Sequence, residues 1–286
     1  MTLSVIIVAW RVRDKLRANL AALIKSRVNF DWEVFVVDNN SGDGTAAMVA
    51  QEFPQVKLMV NQSNLGFAKA NNQAWREAQG DFVLLLNPDM KVFPDTLQHL
   101  VDWLKANPQA WVAGGRLLDE AGRPITSVRR FPTLADQLAI VLKLPHLFPR
   151  VLNKYLWRDF DYNQSAKVDS VRGSFFAVRR STWEAIGYLD EQFFVWFEEV
   201  DYCRRVAAAG GEIWYTPIVS AIDYVGQSFG QITTRTSQSY FRDSMLKYWR
   251  KWQPASAWLL QLAWILTWPF IWLLGKKRRL DKRPIS

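Results

Sequence analysis

VIIVAWRVRDKLRANLAALIKSRVNFDWEVFVVDNNSGDGTAAMVAQE, residues 5–52, sets an apolar β-branched run against a helical spacing twice in succession. Val5–Trp10 reads as a strand, and Asp14–Lys25 repeats Leu16, Leu20 and Leu23 on one helical face. Glu33–Val37 reads as a second strand, followed by a helix over Gly44–Glu52. Outward from this stretch the same alternation continues. Val56–Val60, Phe82–Leu86 and Trp111–Gly114 read as strands, with helices over Phe67–Ala78 and Pro94–Ala106 between them. Short strand–helix alternation predicts an α/β fold, with a parallel sheet covered by helices on both faces. Ligands of such sheets sit beyond the carboxyl ends of the strands, so the residues just after each strand matter most.

Those residues are polar. The first strand runs into Trp10-Arg11, the second into Asp38-Asn39-Asn40-Ser41 and the fourth into Asn87-Pro88-Asp89. Each is also an ordinary turn former, but all three fall on one sheet edge. A carboxylate at Asp89 suits a hard cation such as Mg²⁺ or Mn²⁺ bridging a diphosphate, or a helix cap. Asp38 offers an acceptor for a nucleobase imide N–H. Neither a GxxxxGK[ST] loop nor a GxGxxG fingerprint is present.

The second half is less regular. Residues 119–167 contain Pro124, Pro132, Pro145 and Pro149 and an apolar helical patch over Leu134–Leu144. This stretch reads either as a plain insert between strands or as a loop facing an acceptor or a membrane. Val168–Val178 reads as a strand with Gly173 inside it, and Phe193–Ala209 runs aromatic residues into a helix bearing Glu198, Glu199 and Asp201. Acids beside aromatic rings suit a partly desolvated general base, and acids at a helix start also suit its dipole. Asp223 follows the apolar stretch Ile218–Ile222 as a further strand-end carboxylate. His99 and His146 have no clustered partner, and the single cysteine, Cys203, excludes an internal disulfide and a cysteine zinc cluster.

The chain has 286 residues, 49% of them hydrophobic and 22% charged, enough for a sizeable core. Its net charge of +9 is concentrated at one end: residues 242–286 carry ten Lys/Arg against two Asp, leaving +1 for the first 241. Six of the fifteen Trp lie in the same stretch, and the 24 residues from Trp252 to Gly275 contain no charge. A nearly neutral body with a basic, Trp-rich tail points to a membrane surface and away from nucleic acid. A single crossing would export Lys276–Arg279 against the positive-inside tendency, and Pro269 invites a kink, so a segment lying in the interface is expected. MTLSVIIVAW lacks a basic n-region and a cleavage site, which predicts a cytoplasmic chain.

VDNNSGDGT (37–45), NLGFAKANN (64–72), LLLNPDM (84–90) and GSFFAVRRSTWEAIGYLDEQFFVWFEEVDYCRRVAAAGG (173–211) resemble the inverting GT-A glycosyltransferases of family two, over about residues 3–250. The likeness is nearest to bacterial rhamnosyltransferases of cell-surface polysaccharide synthesis. It implies a GT-A, Rossmann-like nucleotide-diphospho-sugar transferase fold: a mixed sheet with flanking helices, plus a C-terminal hydrophobic, membrane-associated helical segment. Residues 1–241 would form the transferase domain, with a nucleotide-sugar half (1–115) and an acceptor half (116–241) carrying the insert 119–167. Residues 242–286 would be the membrane-association segment, meeting inner-membrane lipid through 252–283.

The resemblance also implies roles. Val8, Ala9, Trp10, Asp38, Asn64, Gly66, Asn71 and Asn87 would bind the nucleotide sugar, with Trp10 stacked on the base and Asp38 on its imide. Asp89, in a DxD-like Asn87-Pro88-Asp89, would hold a divalent metal, Mg²⁺ or Mn²⁺, joined by Asp223 where the family has a histidine. Glu199 falls where the family has its catalytic Asp and would be the base, with Glu198 and Asp201 as the other candidates. The implied reaction moves L-rhamnose from dTDP-L-rhamnose to a lipid-linked saccharide at the cytoplasmic face of the bacterial inner membrane, the protein being peripheral or monotopic. The alternatives keep the fold with another nucleotide sugar, or with a sugar-nucleotide-binding protein that lacks turnover, which the departures at Asn87, Glu199 and Asp223 motivate.

Overall fold

The computed structural model describes residues 1–224 and 234–275. Four parallel strands, β3 (Lys57–Val60), β2 (Trp32–Asp38), β1 (Leu3–Ala9) and β4 (Phe82–Leu86), lie side by side in that order. They are joined by α1 (Arg13–Ile24), α2 (Thr45–Glu52) and α3 (Phe67–Glu77). The register pairs Ala9 with Asp38 and Asp38 with Val60, so the polar strand ends share one edge, as the sequence predicts.

Parallel pairing stops at β4. β10 (Phe175–Arg179) lies antiparallel between β4 and β6 (Ala110–Leu118), β11 (Glu212–Asp223) runs parallel to β6, and β5 (Met90–Val92) pairs antiparallel with β11. β8 (Ala166–Val168) completes the nine-stranded sheet on β11, and β7 (Val128–Arg129) pairs with β9 (Ser170–Val171) apart from it. The parallel arrangement read from the first 115 residues holds for β1 to β4, and the whole sheet is the mixed one that the family resemblance implies. The cause lies at the carboxyl edge, where the Asn87 N–H donates to Ser174 O at 2.9 Å. A chain entering there beside β4 must run back against it. The single strand expected over Val168–Val178 is accordingly three pieces. Asp169 breaks it by accepting the Phe131 N–H at 2.9 Å, and residues 172–174 turn at the sheet edge.

Both faces of the sheet are covered. Alternate residues of β4 divide between two cores: Phe82, Leu84 and Leu86 pack on the side of α1 and of α4 (Thr96–Ala106), while Val83 and Leu85 face α3 and α7 (Glu198–Ala208). All five are buried, which explains an uninterrupted apolar run, and each such side chain contributes about 1.5–3 kcal/mol. Between β10 and α7 lies the short α6 (Arg180–Ile186).

A third core joins the C-terminal segment to the body. α8 (Thr234–Trp252) and α9 (Ala257–Gly275) form a hairpin turned at Gln253–Ser256, where Trp249 Nε1 donates to Ser256 Oγ at 3.1 Å. Met245, Tyr248 and Trp249 of α8 and Leu260 and Trp264 of α9 pack against Phe193, Phe197 and Val200 and against Val141 of α5 (Leu134–Val141). The boundary expected at 241/242 thus falls inside α8. The uncharged helix expected from Trp252 begins at Ala257, because Pro254 opens a separate short turn. Among the described residues no helix is long and apolar enough to cross a membrane. Residues 276–283 of the expected lipid contact lie outside the described residues.

Candidate active site

The carboxyl ends of β1 and β2 are tied by their own polar groups. Arg11 takes φ +57° and donates its N–H to Ser41 Oγ at 3.0 Å, and its guanidinium lies 5.1 Å from the Trp10 ring centroid. Asp38 is buried and accepts the Ser41 N–H at 3.3 Å, so it closes its own turn beside the half-buried Trp10. Val8 and Ala9 sit on the last turn of the β1 ladder opposite Val37 and Asp38.

Asn64 and Asn71, expected as donor-binding residues, spend polar groups on the protein. Asn64 Oδ1 accepts from Asn39 Nδ2 at 2.8 Å and from the Gly66 N–H at 2.9 Å, and Asn71 Nδ2 donates to Phe67 O at 2.9 Å. They shape the loop that enters α3. Gly66 is fixed by two constraints. Its φ is +82°, and a Cβ there would stand 2.4 Å from Phe194 O. The next N–H, that of Phe67, donates to the same carbonyl at 2.6 Å, locking the α3 loop to the segment that precedes α7.

Asp89 and Asp223 come together through the sheet. The β5–β11 register pairs Asp223 with Met90, and the Tyr224 N–H donates to Asp89 O at 3.1 Å. Both carboxylates are only 4% exposed. Asp223 Oδ2 accepts from Ser174 Oγ at 3.2 Å and lies 3.4 Å from the Arg172 guanidinium. No group of three or more His, Cys, Asp or Glu is assembled among the described residues. Two neighbouring carboxylates nonetheless fit Mg²⁺ or Mn²⁺ when a diphosphate supplies further oxygens, since such ions are commonly held by one or two carboxylates plus phosphate. Asn87 follows β4 on the same edge, its carbonyl oxygen held by Asn19 Nδ2 at 2.9 Å.

Next to this edge is a cavity of about 190 Å³, lined among others by Asn87, Arg172, Gly173, Ser174, Ser127, Arg129, Trp196, Glu198 and Glu199. Trp196 and Phe197 take φ +65° and +69° immediately before α7. Two consecutive bulky residues in the left-handed region are strained backbone, and here the strain aims the first turn of α7 into the cavity. Ser127 Oγ, Arg129 Nε, Glu198 Oε2 and Glu199 Oε2 are buried with no hydrogen-bond partner among the described residues, and all four residues line this cavity. Such groups are costly unless something else binds them.

Burial raises both glutamates, Glu198 further because Glu199 adjoins it. The guanidinium groups of Arg129 and Arg172 pull Glu199 back down without cancelling the effect of burial. A carboxyl lifted in this way is suited to accept a proton near neutral pH. Asp201 is different. It does not line the cavity, and its carboxylate is filled by Arg205 Nε at 3.0 Å, Lys251 Nζ at 2.9 Å and Trp252 Nε1 at 2.7 Å. Arg129, Arg172 and Ser127 were not among the candidates from sequence. The chain brings them in from the insert and from the turn before β10, and no local pattern marks them.

The model of the family described as glycosyl transferase family 2 matches residues 4–190. An N-acetylglucosaminyl-diphospho-decaprenol L-rhamnosyltransferase of Mycobacterium tuberculosis is 29% identical over 210 residues, 69% of this chain and 68% of that protein. The rhamnosyltransferase WbbL of Escherichia coli is 30% identical over 167 residues, 56% of this chain and 61% of WbbL. In fold the chain is similar to a mannosyltransferase from Pyrobaculum calidifontis solved with GDP-Man and Mn²⁺, at TM-score 0.57 and 20% identity, covering 92% of this chain and 69% of that one. With a GT-A mixed sheet and a family match over most of its length, the chain belongs to glycosyl transferase family 2 and is a glycosyltransferase.

Proposed function

We propose that this glycosyltransferase moves L-rhamnose from dTDP-L-rhamnose to a lipid-diphosphate-linked saccharide, with inversion, at the cytoplasmic face of a bacterial inner membrane. The observation that carries the reading is the pair Glu198–Glu199, each with a buried, unpartnered Oε2, in a cavity that adjoins the strand edge bearing Asn87, Asp89 and Asp223. The names of the relatives support the sugar and the type of acceptor.

In this mechanism Trp10 stacks on the nucleobase and Asp38 accepts its imide N–H. Asp89 and Asp223 would hold a divalent cation, whose charge would offset the negative charge developing on the leaving nucleoside diphosphate. Arg172, beside Asp223, presents a guanidinium to the same diphosphate. Glu199 takes the proton of the acceptor hydroxyl as its oxygen attacks the anomeric carbon from the face opposite the diphosphate. The C–O bond to the diphosphate breaks as the new glycosidic bond forms, and no covalent glycosyl-enzyme is required. Arg129 and Arg172 limit how far burial can raise Glu199 and so keep it able to ionise.

The work is done at a lipid surface. One stripe of α9, Leu260 and Trp264 among it, packs on the body, while Trp258, Leu262, Ile265 and Leu266 form an outer stripe 46–62% exposed. An uncharged helix that, over residues 257–267, packs one stripe on protein and leaves another apolar stripe exposed is suited to lie in a membrane interface. The test is nucleoside-diphosphate release across a panel of nucleotide sugars with a membrane lipid extract, in Mn²⁺, Mg²⁺ or EDTA. Metal-dependent release from dTDP-L-rhamnose with inverted product is expected. Release from another donor alone would overturn the assignment of the sugar, and binding without release from any donor would overturn turnover itself.

A further inference from the structure

The insert carries an apolar tip that the transferase reading leaves unused. After α5, the residues Leu142, Leu147, Phe148 and Val151 are 44%, 74%, 61% and 41% exposed. They are not a frayed end. On one side of the tip, Leu152 and Tyr155 pack on Ala139 in a small core joined by Ile140, Leu144 and Leu156. On the other, Leu134, Leu138 and Val141 pack on the inner stripe of α9. The tip also satisfies much of its own backbone. The Leu142 N–H donates to Leu138 O at 2.8 Å, those of Leu147 and Phe148 to Leu144 O at 2.9 and 2.7 Å, and that of Val151 to Phe148 O at 3.0 Å. A loop whose N–H groups are bonded internally enters an apolar phase without the cost of stripping them of water.

Charge identifies the occupant. Residues 137–158 contain Lys143, Arg150, Lys154 and Arg158 and no acidic residue. Lys143 is half buried and donates to Gln238, but Arg150, Lys154 and Arg158 are exposed. Exposed leucine and phenylalanine followed by such cations match an anionic bilayer: apolar side chains enter the acyl boundary while the cations stay at the headgroups. The helix that leads into the tip, α5, packs on α9, the helix that carries the exposed apolar stripe.

We propose that the tip 142–151 is a second membrane contact, which inserts Leu147 and Phe148 into an anionic leaflet beside α9. The proposal rests on the lipid-surface reading of α9 and adds a leg to it. The insert then has two ends with two tasks. Its tip meets lipid, while Arg129 of β7, whose guanidinium lies 6.0 Å from the Tyr155 ring, lines the cavity. An acceptor held by its lipid is thereby presented close to Glu199.

The test is vesicle flotation of the full chain with phosphatidylcholine, with and without phosphatidylglycerol. It compares wild type, Leu147→Asp/Phe148→Asp, Ile265→Asp/Leu266→Asp and Arg150→Glu/Lys154→Glu, with nucleoside-diphosphate release onto a water-soluble acceptor measured alongside. The tip pair is expected to lose at least about tenfold in partitioning, as removal of two inserted side chains requires, with thermal midpoint and soluble turnover unchanged. The basic pair is expected to lose the preference for phosphatidylglycerol. If the α9 pair abolishes flotation and the tip pair floats like wild type, the tip is not a membrane contact, although the lipid-surface reading stands. If wild type does not float, both fail while turnover still reports on the transferase. A wild-type dimer that the tip pair converts to monomer would assign the patch to a second copy and overturn the proposal.

Discussion

Replacing Glu199 with Gln keeps the shape of the side chain and removes its capacity to take a proton. A positioned general base contributes about 10²- to 10⁴-fold, or about 3–5 kcal/mol of barrier. The cavity decides where in that range the variant falls. Glu198 lines it too, with its own buried, unpartnered Oε2, and offers a second proton acceptor. The single variant should therefore lose about 10²- to 10³-fold in kcat, and Glu198→Gln/Glu199→Gln should approach the upper limit. Donor KM should stay near wild type.

The same substitution should stabilise the fold. Burial raises the Glu199 carboxyl, so the folded protein keeps a proton that the unfolded chain has already released. Stability is fully present below the unfolded-chain pKa and falls as pH rises through the interval up to the folded value. Gln carries no such decline, so the thermal midpoint of the variant should exceed that of wild type at neutral pH and converge with it in acid. In kinetics, the acid limb of wild-type kcat should lie above the ordinary glutamate range. Nucleoside-diphosphate release across pH and calorimetry on the same samples read both effects. Full kcat in Glu199→Gln, with collapse in Glu198→Gln alone, would refute the assignment of the base.

Asp201→Asn should act on stability before chemistry. It strips a fully buried carboxylate from Arg205 and Lys251, a loss of about 3 kcal/mol that, with Lys251 still paired to Asp190, should lower the thermal midpoint by about 5 °C. Gly66→Ala should cost about 2–4 kcal/mol, because the strained backbone and a Cβ at 2.4 Å from Phe194 O act together; a denaturant midpoint measures it. Asp89→Asn and Asp223→Asn should each raise the Mn²⁺ concentration for half-maximal turnover by at least about tenfold, the loss that even an outer-sphere partner of a metal brings. Metal titration of EDTA-stripped protein reads it, and an unchanged titration would remove either carboxylate from the cation.

The parallel half of the sheet was legible because each element there declares itself locally. Val5–Trp10 and Phe82–Leu86 are apolar runs with polar stops, and the stops land on one edge. The antiparallel entry of β10 was not legible, since pairing partners are chosen by tertiary contacts that no local period encodes. The three acids of α7 show both cases. At about 100° per residue, Asp201 lies roughly 200° around the helix from Glu199, so its separation from that residue was implicit in the spacing, although it stands only about 60° from Glu198. That Lys251 and Trp252 would receive it was not, because those partners lie some fifty positions along the chain. Arg129 and Arg172 escaped notice for a similar reason. Each is an unremarkable cation in sequence and reaches the cavity only when the insert and the turn before β10 fold together.

Helix α8 holds the loop that delivers Glu199. Lys247 Nζ donates to Gln192 O at 2.8 Å, Ser244 Oγ to Val195 O at 2.8 Å, and Lys251 bridges Asp190 and Asp201. The segment leading to the outer stripe of α9 is therefore also part of the frame of the cavity. The C-terminal hairpin and the cavity in this protein are not separable modules. Recombination that swapped the C-terminal hairpin for another segment would have to replace these contacts as well. A fragment ending before α8 would lose the brace behind α7 together with the exposed apolar stripe of α9.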